Sequence, residues 1–132
     1  QAIHYLLNNK KAKNIIVLNR SKKKLIFGKN LKYTKSFNTA IKLTKPLDLI
    51  INTTPSNPEK IIGKNLINSE TLLSDIVYKP KTTKFLSKFP NNKKIYGIYM
   101  LLYQAIPCFK KWFGFNPKLD QKLLSILEKK IK

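Results

Sequence analysis

Three short polar clusters, each following an apolar run, hold most of the side chains able to grip a charged or hydroxylated ligand. Asn19-Arg20-Ser21 follows the run at 14–18, Asn52-Thr53-Thr54 ends the run at 47–52, and Tyr78 follows the run at 72–77. An arginine guanidinium is a planar fork that pairs bidentately with phosphate or carboxylate. Small hydroxyl and amide side chains add donors without blocking a close approach. A phenol closes a pocket with its ring and donates from its tip. A fourth set, Gly97, Met100 and Gln104, is spaced i, i+3, i+7, so one helix face carries all three. Groups suited to nucleophilic or acid–base work are sparse. His4 is the single histidine and reads as structural or solvent-facing; Cys108 is the single cysteine, has no nearby histidine and reads as packed. Asp75 reads as an anchor for loops at a strand end. No metal site is expected.

The elements that must position these residues follow from hydrophobic patterning. Residues 2–7 read as the tail of an apolar helix. The β-branched run at 14–18 reads as a buried parallel strand. Ser21 is a candidate N-cap for a short helix over 22–27. A weak strand over 31–34 and a weak helix over 37–43 follow. Strong strands are expected over 47–52 and 72–77, the latter stopped by Pro80, and a short helix over 81–88. Gly97 opens a helix to about Phe113, ended by Gly114 in the usual C-terminal place. Pro117 lies near the start of a last helix to about Ile131. Alternating strands and helices imply an α/β fold with a parallel sheet. In such sheets ligands sit beyond the carboxyl ends of the strands, where the three polar clusters fall.

Composition narrows the classes further. The 132 residues suffice for one domain with a modest core, and the 42% apolar content argues against wholesale disorder. One cysteine cannot form an internal disulfide, which suits a reducing compartment. No run reaches a membrane span, and no signal-peptide pattern opens the chain. It begins with Gln1 rather than Met, and so reads as a fragment or a processed product. The net charge of +21 would by itself suggest a polyanion binder. The excess is lysine, however, beside abundant Asn and Ile, and Arg20 is the sole arginine. That pattern fits an A/T-rich codon bias better than base or phosphate readout, which favours arginine.

Taken together and in order, the blocks resemble shikimate dehydrogenases, which reduce 3-dehydroshikimate with NADPH. The matching blocks are Asn19-Arg20-Ser21, the stretch 48–55 ending Asn52-Thr53-Thr54-Pro55, the stretch Asp75 to Pro80 with Thr83, Phe85 and Leu86, and Gly97 to Ala105. A weaker block is Phe109 with Trp112-Phe113-Gly114. The resemblance implies an incomplete Rossmann-like NADP-binding domain over 1–96. Two C-terminal helices over 97–132 would pack back on a substrate domain. It implies NADP contacts from Asn19, Arg20, Ser21, Lys24, Thr53, Thr54, Gly97 and Met100, and substrate contacts from Tyr78 and Gln104. Arg20 would replace the acid that grips a ribose 2′-hydroxyl in NAD enzymes. Gln104, inside an otherwise apolar helix, would need a polar partner.

The same resemblance marks what is not in the chain. No Gly-rich pyrophosphate turn is present, and the family's catalytic lysine and aspartate would lie upstream. No catalytic residue is therefore expected among these residues, and the stretch alone is expected to be inactive. Where the family often carries Gly-Met, this chain has Ser56-Asn57-Pro58. The expected partner is a small cyclic hydroxy acid, with neither specific nucleic acid nor membrane. The complete enzyme is expected to be cytoplasmic and a possible homodimer. A quinate-type dehydrogenase, a basic nucleic-acid-binding module and a functionless remnant are the alternatives.

Overall fold

The computed structural model describes residues 12–18, 31–34, 45–58 and 62–131, together with Ile3, Asn9 and Lys10. The chain divides into two compact units, Gln1–Thr44 and Lys45–Lys132.

In the first unit, β1 (Ile15–Leu18) pairs in parallel with β2 (Leu31–Thr34), Ile15 opposite Leu31 and Leu18 opposite Thr34. Both strands stand where the sequence predicts them. The helices expected over 22–27 and 37–43 lie outside the described residues. Of the helix expected over 2–7 only Ile3 is described, and it is helical.

The second unit is built on a three-stranded parallel sheet in the order β3 (Leu49–Asn52), β4 (Leu72–Asp75), β5 (Lys94–Ile95). In β3 and β4 the side chains alternate between a buried and a half-buried face. Ile50 lies opposite Leu73 and Asn52 opposite Asp75, so one face carries an apolar pair followed by a polar pair. Helix α1 (Lys84–Ser87) covers this face with Phe85 and Leu86, both nearly fully buried. Ile50, Leu73, Phe85 and Leu86 form the core, with Leu47, Ile62, Ile67, Phe89 and Tyr96 packed around it. Each such side chain contributes about 1.5–3 kcal/mol by leaving water.

Helices α2 (Gly97–Phe113) and α3 (Gln121–Lys130) complete the chain. Gly114 ends α2 with φ of 80°, the left-handed conformation that favours glycine there. Several boundaries differ from expectation. The strand expected over 72–77 leaves the sheet after Asp75, because the Asp75 carboxylate takes the Val77 N–H at 3.0 Å and turns the chain. The helix expected from 81 starts only after Thr83, whose hydroxyl accepts the Leu86 N–H. The last helix starts not near Pro117 but behind Asp120, whose carboxylate accepts the Leu123 N–H at 2.7 Å. The two-residue β5 and a 3-10 turn at Lys64–Leu66 are too short to leave a periodic signal.

Candidate functional site

The carboxyl ends of β3 and β4 are joined by a buried polar network. Asn52 is 5% exposed and Asp75 2%. Asn52 Nδ2 donates to Asp75 Oδ1 at 3.1 Å, and to the carbonyls of Thr54 and Ser56. Its Oδ1 accepts from the N–H and the hydroxyl of Thr54. Asp75 Oδ1 also accepts from Val77 N–H, and Oδ2 accepts from the Thr83 hydroxyl at 2.7 Å. A buried carboxylate satisfied by three donors is a structural anchor, the role the sequence suggested for Asp75. One cluster thus shapes the 53–56 loop, turns the chain toward Tyr78 and caps α1.

Helix α2 begins against the same edge. A Cβ on Gly97 would stand 2.5 Å from the Ile76 carbonyl oxygen and 2.6 Å from that of Val77. The glycine is therefore required by the approach of the helix to the chain leaving β4, a protein contact that the sequence did not show. Ile98 beside it is buried, whereas most of the helix beyond is exposed. The N-cap, Tyr96, makes no side-chain bond to the first turn, so N–H donors at this end lack a side-chain cap.

Thr53, Thr54, Tyr78 and Gly97 are thus assembled at one edge of the sheet. Thr53 is exposed, and among the described residues its hydroxyl has no protein partner. Thr54 is exposed too, but its N–H and hydroxyl are committed to Asn52 and Ser56. Tyr78 is 44% exposed, on a loop that includes the cis Lys79–Pro80 peptide. Met100 is 43% exposed on α2, so it is not a core residue. Gln104 is exposed as well, which corrects the expectation of an apolar surrounding that would demand a partner. Cys108 is exposed rather than packed, since it lies on the outer part of α2. Asn19, Arg20, Ser21, Lys24 and His4 lie outside the described residues. Two residues named in the sequence have roles there that the sequence did not show: Asn52 as the buried link and Thr83 as the Asp75 partner. The register of Asn52 with Asp75 is a pairing fact that a single strand's pattern does not carry.

The far end of α2 bears an aromatic group. Phe109 stands 4.4 Å from Phe113 and 5.5 Å from Phe115 between ring centroids. Trp112, Phe113 and Phe115 are all more than half exposed. A shallow cavity of about 530 Å³ lies at the opposite, amino end of the sheet, lined in part by Ile67, Asn68, Phe89 and Asn92. Asn68 Oδ1 and Asn92 Nδ2 are committed to the Thr71 turn. Among the described residues there is no metal-binding cluster and no helix long and apolar enough to cross a membrane.

No family model matches the chain. Among curated proteins, the NADP(+) shikimate dehydrogenase of Bartonella tribocorum is 33% identical over 144 residues, covering 97% of this chain and 49% of that protein. The shikimate dehydrogenase of Methanocaldococcus jannaschii is 30% identical, covering 90% and 48%. Among solved structures, Aquifex aeolicus shikimate dehydrogenase superposes with a TM-score of 0.61 at 30% identity, covering 83% of this chain and 43% of that one. A shikimate dehydrogenase solved with NADP+ gives 0.56 at 25% identity, covering 78% and 36%. The chain spans about half the length of the curated relatives it matches. By sequence and by fold, it belongs with the NADP-dependent shikimate dehydrogenases.

Proposed function

We propose that this chain supplies the NADP-binding surface and part of the substrate site of an enzyme that reduces 3-dehydroshikimate to shikimate. The observation that carries the reading is the gathering of Thr53, Tyr78 and the start of α2 at the carboxyl edge of a parallel sheet, in a chain whose relatives are named for this reaction. That edge fits a dinucleotide. It presents a free hydroxyl at Thr53, helix N–H groups without a side-chain cap, and a backbone loop held open by Asn52.

In this reading Arg20 and Lys24 pair with the 2′-phosphate, with Asn19 and Ser21 as further donors. Thr53 donates to the nicotinamide-side ribose or the pyrophosphate, while Thr54 keeps the loop in shape. Gly97 and Met100 border the nicotinamide pocket. Tyr78 and Gln104 turn their polar ends to the carboxylate and hydroxyls of the substrate. NADPH, when bound, supplies the hydride, and the protein supplies position and electrostatics. Residues 1–96 would belong to the cofactor domain. The exposed aromatic face at the end of α2 would be covered by the part of the enzyme that carries its proton-transfer groups.

The gene upstream of Gln1 gives the test. A buried strand with a Gly-rich turn, and a lysine and an aspartate further upstream, is expected. The complete reading frame should oxidise shikimate with NADP+, and Arg20→Ala should raise the KM for NADP+ roughly ten- to hundredfold, the loss of a charge-assisted bond. An unrelated upstream sequence, or a complete protein without this activity, overturns the reading.

A further inference from the structure

Lys81 stands where three elements meet. Its N–H donates to the carbonyl of Ile131, the C-cap of α3, at 2.9 Å. Its Nζ lies 2.6 Å from Glu128 Oε1 in the last part of α3. The same Nζ is 5.0 Å from the centroid of the Tyr96 ring, which is the N-cap of α2. Tyr78 is three residues before Lys81, and Gly97 directly follows Tyr96.

Helix α3 packs through leucines that are only half-buried, Leu123, Leu124 and Leu127. None of its ten residues is buried, and Ile131 just past its end is the buried residue there. The directed contacts that fix it are at its carboxyl end. Glu128 is also oddly placed for a carboxylate, since the carboxyl end of a helix carries partial negative charge. Six acidic residues stand in the whole chain, against 27 basic ones. An acid spent at a disfavoured position needs a specific partner, and Lys81 is that partner.

We propose that Lys81 and Glu128 form a positioning latch. Through it α3 holds the 78–83 loop, and with it the Tyr78 phenol, at the carboxyl edge of the sheet. Neither residue touches the reacting atoms; both act through the loop. The functional half of this proposal rests on the assignment of Tyr78 to the substrate.

Hydrogen exchange of Glu128→Gln, of Lys81→Met and of the exchanged pair Lys81→Glu with Glu128→Lys tests the latch. A one-third-exposed ion pair of modest strength predicts roughly two- to fivefold faster exchange at 78–83 and at the start of α2, with the β3 and β4 amides unchanged. The exchanged pair should return the rates toward those of the original chain. Unchanged rates in both single variants, or no recovery in the exchanged pair, overturn the latch. In the complete enzyme Glu128→Gln should raise the KM for the cyclic hydroxy acid and leave the KM for NADP+ in place. A loop that loosens without any change in that KM overturns the positioning role. Failure of the functional assignment looks different: the unaltered enzyme then shows no NADP-dependent turnover, and the exchange data still decide the latch.

Discussion

Asn52 Nδ2 and Asp75 Oδ1, 3.1 Å apart, tie the carboxyl ends of two adjacent parallel strands together. The bond exists because the register sets these residues opposite each other on the buried face. It matters because the same two side chains also organise the 53–56 loop, the turn at Val77 and the cap of α1. Asn52→Ala removes a donor from a buried carboxylate and frees the loop. The expected loss is about 1–3 kcal/mol in chemical denaturation. Asn52→Asp should cost more, since it sets a second carboxylate against Asp75 with no donor between them. If Asn52→Asp were as stable as the original chain, the network would not be the anchor described.

Gly97 should tolerate no side chain. Its Cβ would meet two backbone oxygens, which cannot swing aside as a flexible side chain can. Gly97→Ala is expected to push α2 off the end of β4 at a cost of about 1–3 kcal/mol. Thermal unfolding reads the loss. Gly114→Ala is a useful control of different cause: it has open space around it but a φ of 80°, so it is strained by conformation alone.

Much of the fold was legible because it rests on local signals. The β-branched runs at 14–18 and 47–52 gave strands, and Gly97 and Gly114 bracketed α2. The strand ends marked Thr53, Thr54 and Tyr78, and the structure assembles these with Gly97 at one edge. What stayed hidden depends on which nearby side chain captures a free backbone N–H, and on partners distant in sequence. Asp75 ended its strand two residues early through its bond to Val77, and Asp120 displaced Pro117 as the start of α3. Nothing in the spacing of Lys81 and Glu128 shows that they touch. Gln104, expected to be among apolar neighbours, is exposed because the helix composition does not say which face is covered.

Thr83 has two tasks that substitution can separate. Its hydroxyl donates to Asp75 Oδ2 and accepts from the Leu86 N–H. Thr83→Ser keeps both and should lose about 1 kcal/mol, the worth of a buried methyl. Thr83→Val keeps the shape but uncaps the helix and leaves Asp75 short of a donor, for a loss of about 2–4 kcal/mol. A Val variant as stable as the Ser variant would show that neither bond contributes.

The latch predicts an alkaline signature. The hydrogen bond to Glu128 raises the Lys81 pKa above its ordinary 10.5, against a smaller opposing effect of burial. A lysine whose folded pKa is raised adds stability that is complete below 10.5 and disappears as the pH climbs through the folded value. The difference in stability between the original chain and Glu128→Gln should therefore be flat from neutral pH to about pH 10, then shrink toward zero above it. Its size should not exceed about 1 kcal/mol, because both side chains remain about one-third exposed and water screens the pair. Taking the difference between two variants cancels the tyrosines and the other lysines that titrate in the same range. A difference that persists undiminished in strong alkali would place the role of Glu128 outside its bond to Lys81.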